Sequence, residues 1–329
     1  MILAGDIGGT KTVLAICDAA FAIVREAVYH CADFPSLEAI LDRFLQPADR
    51  GTLDAACFGV AGPVVAGTAR ITNLPWTIDA AALSARLGVP VGLLNDLQAT
   101  ALGTLVLPAA AFAVLQPAAA AAAPDATIAV IAPGTGLGEA LLVSDGRHHR
   151  ALPSEGGHAD YAPGTDDEIE LLRYLRGVHG PHVSYERVLS GAGIGDLYSF
   201  VRTTTGAAEP AWLTAEIAAG DRNAVVSRVA LDHRDPAAVR ALDMFVEALG
   251  AEAGNLALRG LAHGGVVIGG GIPPKILPAL QQPRFLERFR AKGRFTAWMR
   301  GVGVRVTLEP RAALFGAAHH AAIHKDARS

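Results

Sequence analysis

The chain has 329 residues, 51% of them hydrophobic, and a formal net charge of −4 with no block of basic residues; that length calls for two cores rather than one, and that charge argues against nucleic-acid binding. Its three cysteines, Cys17, Cys31 and Cys57, include no Cys-x-x-Cys pair, which fits a reduced cytoplasm and argues against both a disulfide framework and a thiolate metal site. No apolar run reaches the roughly 18 residues that span a bilayer, and no basic segment precedes the first apolar residues, so neither a membrane span nor a signal peptide is expected.

The first expected element is an antiparallel pair, 1–4 with 12–17, around the turn Gly5-Asp6-Ile7-Gly8-Gly9-Thr10. A helix follows from Ser36, with Leu37, Ile40, Leu41 and Phe44 at helical spacing, and fades near Pro47. Residues 55–60 read as a buried strand entering the sharp turn Ala61-Gly62-Pro63. Next come a short strand and loop at 71–76 and a helix at 78–87 closed by Gly88. Residues 89–94 form a strand ending at Asn95-Asp96, before a helix near Leu97. The alanine-rich stretch 109–123, broken by Gln116 and Pro117, reads as a linker or loose helix.

The scheme then repeats. Strands 127–131 and 139–143 flank a second glycine turn, Gly134-Thr135-Gly136. Helices are expected at 166–176, 184–188 and 235–259, the last with Ala238, Leu242, Phe245, Leu249, Ala253 and Leu256 on one broad face. A strand at 264–268 enters Gly269-Gly270-Gly271, and a helix at 312–324 is expected to return to the N-terminal domain. The repeat has no fixed period, so no solenoid is implied.

Two Gly-Thr turns in matched contexts point to phosphate. Glycine permits positive φ and close approach to an anion, while threonine hydroxyls and successive N–H groups donate. Asp6 adds a carboxylate that can hold Mg²⁺ directly or through water. Lys11 can neutralise phosphate charge, although lysines are common in surface turns. Gly269 and Gly270, after a buried strand, allow an adenosine to lie on backbone, or form a turn before the proline-started segment. Asp96 reads equally as a helix cap or as the base that phosphoryl transfer to an alcohol requires, with Asn95 orienting another hydroxyl. Glu155-Gly156-Gly157-His158 sets two polar side chains on a flexible backbone. No second histidine stands at metal-ligand spacing, so a sugar contact is favoured over a metal. Glu186 alone reads as a helix-start dipole partner.

Together these motifs resemble the bacterial glucokinases, specifically the group of the hexokinase–actin-type ATPase superfamily without a zinc-binding cysteine cluster. The resemblance rests on Gly-Asp-Ile-Gly-Gly-Thr (5–10), Thr-Asn-Leu-Pro-Trp (72–76), Leu-Asn-Asp (94–96) and Pro-Gly-Thr-Gly-Leu-Gly (133–138). Glu-Gly-Gly-His (155–158), Glu-Arg-Val-Leu-Ser-Gly (186–191), Gly-Asn-Leu-Ala-Leu (254–258) and Gly-Gly-Gly-Ile (269–272) complete it. It implies an α/β, two-domain actin-like ATPase (ribonuclease H-like) fold. A small domain at 1–106 plus 310–329 and a large one at 107–309 would flank a cleft.

It further implies that Asp96 is the general base for the 6-hydroxyl of glucose, and that Asn95, Glu155, His158 and Glu186 hydrogen-bond the other hydroxyls. Gly5, Asp6, Ile7, Gly8, Gly9 and Thr10, with Gly134, Thr135 and Gly136, would cradle the phosphates of ATP, and Gly269 and Gly270 would lie near the adenosine. Mg²⁺ would arrive with ATP, and a homodimer in the cytoplasm is expected. Rival readings are a kinase for another hexose, a kinase using polyphosphate or ADP, and a sugar-sensing regulator. The regulator is disfavoured because the phosphate turn begins at residue 5, leaving no room for a DNA-binding domain, and because Asp96 is intact.

Overall fold

The computed structural model describes residues 1–49, 51–71 and 74–325. Thr72 and Asn73 of the Thr-Asn-Leu-Pro-Trp motif, within the expected 71–76 element, lie outside the described residues, as do 326–329. Contacts divide the chain into two units, one of 1–111, 149–153 and 309–329, the other of 112–148 and 154–308. The first unit therefore extends past residue 106 and takes in a short later segment, whose Ala151 carbonyl accepts a hydrogen bond from Gln98 Nε2 (3.1 Å).

The first unit opens with β1 (Ile2–Ile7), β2 (Lys11–Cys17) and β3 (Ile23–His30), followed by α1 (Leu37–Phe44) and β4 (Ala55–Val60). Three short strands, β5 (Val64–Val65), β6 (Thr68–Arg70) and β7 (Thr77–Asp79), form a small antiparallel sheet. Then come α2 (Ala80–Leu87), β8 (Val91–Asn95) and α3 (Asp96–Gly103). The main sheet runs β3-β2-β1-β4-β8. Its hairpin strands are antiparallel, and β1, β4 and β8 are parallel. All six residues of β4 are buried, as a central parallel strand covered on both faces requires. The expected helix at 78–87 starts only at Ala80. Residues 77–79 pair with β6 instead, and Asp79 caps the helix by accepting from the Ala82 N–H (2.8 Å).

The second unit contains β9 (Phe112–Gln116), β10 (Ile128–Pro133) and β11 (Leu137–Ser144), after which β12 (His149–Ser154) carries the chain on. Helices α4 (Asp166–His179), α5 (Gly191–Thr205), α6 (Ala211–Ala219), α7 (Arg222–Leu231) and α8 (Pro236–Gly260) follow. The remainder is β13 (Val266–Ile268), α9 (Leu277–Leu280), α10 (Pro283–Arg290), α11 (Thr296–Gly301) and β14 (Val304–Thr307). Its sheet runs β11-β10-β13-β14-β9. Again an antiparallel hairpin is joined to two parallel strands, so the two units share one construction rule.

The stretch 109–123 is not a linker: it contains β9, antiparallel to β14. Buried Gln116 anchors it, its amide donating to the carbonyls of Met299 (2.8 Å) and Val302. The expected helix at 184–188 shrinks to one tight turn, Tyr185–Arg187. Helix α5 went unread because Gly191, Gly193 and Gly195 weaken helix propensity. It forms because Ser190 caps it and Ile194, Leu197, Tyr198 and Val201 are buried against the α7–α8 layer. Helix α8 begins at Asp235, which caps it by accepting from the Ala238 N–H (2.8 Å), and at Pro236.

The chain ends in α12 (Ala312–His324), which packs on α3, β1 and β4 of the first unit. This contact is unusually close. A Cβ on Gly316 would overlap the Ala99 carbonyl, and one on Gly103 would overlap the Ala312 carbonyl. The two helices therefore meet backbone to backbone.

Candidate functional site

In the first unit the polar residues collect at the carboxyl ends of β1, β4 and β8, where open α/β sheets bind ligands. Register places Asp6 opposite Gly59 and Val60 opposite Asn95. Asn95 caps α3: its Oδ1 accepts from the Gln98 N–H (2.6 Å), while Gln98 Oε1 accepts from the Asn95 N–H (3.2 Å). The cap is thus Asn95 and not Asp96. Asp96, exposed in the first turn, accepts from the Leu97 N–H (2.9 Å). Burial pushes the Asp6 carboxyl up to about 6, the charge of Asp96 adds to this, and Lys11 opposes it. Asp6 and Asp96 therefore feel each other as like charges on one sheet edge.

Residues 8–10 link β1 to β2, with the Gly8 N–H donating to the Lys11 carbonyl (3.0 Å). Neither Gly8, Gly134 nor Gly136 takes a positive φ. Close approach, rather than left-handed backbone, is what Gly8 and Gly136 supply, to the Lys11 carbonyl and the Glu186 carboxylate. Only Gly270 in the third glycine cluster combines both, with φ 85° and a missing Cβ that would overlap the Pro133 carbonyl.

In the second unit the β10–β11 turn is closed by the Gly134 N–H on the Gly136 carbonyl (2.8 Å), and the Gly191 N–H at the start of α5 donates to the Gly134 carbonyl (2.9 Å). Gly134 and Thr135 open onto a cavity of about 700 Å³, whose wall includes Gly191, Asn223, Gly271 and Lys275. Its size suits a nucleotide. Gly269 and Gly270 are not part of the wall; they shape the turn that presents Gly271 and Ile272. The contributions of α5, α7 and Lys275 went unseen in the sequence, because those helices were unread and Lys275 follows two prolines that read only as a helix start.

The second unit also gathers Glu155, His158 and Glu186. His158 Nε2 lies 3.9 Å from Glu155 Oε2, and its Nδ1 lies 4.0 Å from Glu186 Oε1. Glu155 and His158 flank the tight turn Gly156–His158, which is tied to the Glu186 segment by the Tyr185 N–H on the Ala159 carbonyl (3.0 Å). Glu186 is half-buried and accepts from the Leu137 N–H (3.0 Å), on the second glycine turn. Its carboxylate fills the space a Cβ on Gly136 would need. The arrangement is a fan of hydrogen-bonding groups beside a phosphate-type loop, with the acceptor-side glutamate seated on that loop.

A Gly136→Ala variant should fold, because the atom it displaces is the free end of a side chain. It should weaken binding of a ligand held by Glu186 about tenfold or more as that side chain loses its place, since a hydrogen bond to a charged group carries about 1.5–3 kcal/mol. Unchanged affinity alongside an unchanged melting temperature would show that this seat is irrelevant to binding.

The glucokinase family model matches residues 3–324. The chain belongs to the glucokinase family. It is 41% identical to a glucokinase of Nostoc punctiforme, over 97% of this chain and 98% of that one. The crystal structure of a glucokinase from an Antarctic psychrotroph superposes with a TM-score of 0.86 at 34% identity, covering 97% of this chain and 99% of that one. A ROK-family glucokinase from Streptomyces griseus, solved with glucose and AMPPNP, shares the fold, with a TM-score of 0.63 at 22% identity over 97% and 98% of the two chains. The fold is accordingly the two-domain actin-like ATPase fold, and membership of the family makes this chain a sugar kinase that transfers phosphate to glucose.

Proposed function

We propose that this glucokinase phosphorylates the 6-hydroxyl of D-glucose from ATP with Asp96 as general base. Asp96 accepts the hydroxyl proton as that oxygen attacks the γ-phosphorus. Asn95 contributes its amide N–H groups, since its oxygen is engaged in the cap. Glu155, His158 and Glu186 hydrogen-bond the remaining hydroxyls. The adenosine and phosphates of ATP occupy the cavity beside Gly134, Thr135, Gly271 and Lys275, with the N–H groups of the two glycine turns, 5–10 and 134–136, stabilising phosphate oxygens. The observation that carries this reading is the separation of roles at α3. Asn95 makes the cap together with Gln98, and Asp96 is an exposed carboxylate at a strand end.

Mg²⁺ belongs to the same proposal. Asp6 and Asp96 are hard oxygen donors whose mutual repulsion a divalent cation would relieve. Asp6 would hold the ion, directly or through water, and the ion would neutralise phosphate charge. No helix among the described residues is long and apolar enough to cross a membrane. A cytoplasmic homodimer feeding glycolysis is carried over from the family resemblance, and sedimentation reads its assembly.

The deciding experiment supplies pure protein with glucose, Mg²⁺ and ATP and measures glucose 6-phosphate, with other hexoses, ADP and polyphosphate in parallel. Product from glucose and ATP above all other pairs is expected. Background turnover with every donor and sugar would sink the proposal.

A further inference from the structure

Beneath the Glu155–His158 turn lies a buried polar cluster that the phosphoryl-transfer chemistry does not use. Glu139, on β11 opposite Ile131 of β10, is 1% exposed, and neither of its carboxyl oxygens has a conventional hydrogen-bond partner. Its carboxyl group occupies the place where a Cβ on Gly156 would stand, and a Cβ on Gly157 would overlap the Leu137 carbonyl. The two glycines therefore lie flat on Leu137 and Glu139. Leu137 at the same time holds Glu186 through its N–H. The first residues of β11 thus touch both segments assigned to the sugar.

The layer behind Glu139 ties the same parts together. Fully buried Glu252 of α8 accepts from Arg259 (2.7 Å) and from Asn255 Nδ2 (2.8 Å). Asn255 Nδ2 also donates to the hydroxyl of Tyr185 (3.1 Å), the neighbour of Glu186, and Lys292 donates to Asn255 Oδ1 (2.6 Å). Arg259 stands 3.6 Å from Glu139. A leucine or valine would fill the space under the turn more cheaply than a buried carboxyl group whose nearest opposite charge, Arg259, stands at 3.6 Å.

We propose that Glu139 is a positioning residue for glucose binding, acting through Gly156 on the turn that presents Glu155 and His158. The inference rests on the assignment of those two residues to the sugar. Burial pushes Glu139 up to about 8, Glu252 adds to the shift and Arg259 opposes it. The charged groups that face it are Glu252 and Arg259 from α8; Tyr185 and Lys292 stand one layer back, around Glu252 and Asn255, and β10 brings only Ile131. Protonated, Glu139 is an uncharged acid that the turn can rest on; deprotonated, it is a buried negative charge under the turn, and the turn is displaced.

The sign follows from linkage. The stability carried by this proton is complete below the ordinary value of 4.5 and is lost as pH rises through about 8. Glucose affinity, measured calorimetrically without donor, should therefore weaken in the wild type as pH passes above about 8, and KM should rise with it while kcat changes little. E139Q, which keeps the neutral shape, should hold glucose affinity within about threefold at pH 7 and lose the alkaline limb. E139A, which leaves the turn unsupported, should weaken glucose binding about fivefold or more at pH 7 with the ATP KM unchanged.

An alkaline limb of equal size in E139Q, or E139A with wild-type glucose affinity, overturns the inference. A wild type that binds no glucose overturns the sugar assignment and this inference together. A wild type that binds and phosphorylates glucose, with indifferent Glu139 variants, overturns this inference alone.

Discussion

Asp96→Asn leaves a folded protein that still binds glucose and loses roughly 10²- to 10⁴-fold in turnover, the usual contribution of a positioned general base. The structure makes this a clean substitution. The capping box of α3 is made by Asn95 and Gln98, so changing Asp96 does not uncap the helix. The Asp96 oxygen that accepts from the Leu97 N–H (2.9 Å) has an equivalent in the asparagine amide. What disappears is a carboxylate able to take a proton, together with a favourable charge at the helix start, worth about 0.3–1 kcal/mol. The measurements are kcat at saturating glucose and ATP, glucose affinity by calorimetry and melting temperature. Turnover near that of the wild type would remove Asp96 from the role of base.

Gly316→Ala should destabilise the first unit by on the order of 3 kcal/mol, against the direction helix propensity predicts. Alanine within a helix is normally better than glycine by about 1 kcal/mol. Here the new methyl group would overlap the Ala99 carbonyl and crowd the Gly103 N–H, both rigid backbone. Helices α12 and α3 must separate, and α12 also covers β1 and β4. Since α3 carries Asp96 at its first position, activity should fall with stability. Thermal unfolding should show a loss of about 10 °C. A variant as stable as the wild type, or more so, would mean that the close approach of these helices is not required.

Much of this protein is readable in its residues because local chemistry and final structure agree. The hairpins around the two Gly-Thr turns, the buried strand at 55–60, the cap-and-proline start of α8 and the terminal helix at 312–324 all follow from period, capping and turn chemistry. The readings that failed are those where tertiary contacts overrode local preference. Residues 112–116 looked like part of an alanine linker, yet Gln116 finds two carbonyls far along the chain and the segment becomes a strand. Local patterning gives no element at 191–205, yet its apolar face is buried and it is a helix that walls the cavity.

The residue types themselves determined that this is an α/β chain with two phosphate-type turns, a carboxylate at a strand end and a Glu-Gly-Gly-His segment. These are local matters, settled by backbone freedom and side-chain chemistry over a few positions. Only the tertiary structure decided which of these residues meet and what each one touches. It made Asn95 the cap and left Asp96 as the carboxylate, and it seated Glu186 on Gly136. It also showed that Gly8 and Gly136 serve close approach rather than positive φ, and it placed an acid under Gly156. Each of these depends on atoms brought together from distant stretches of chain, and no short-range pattern records such distances.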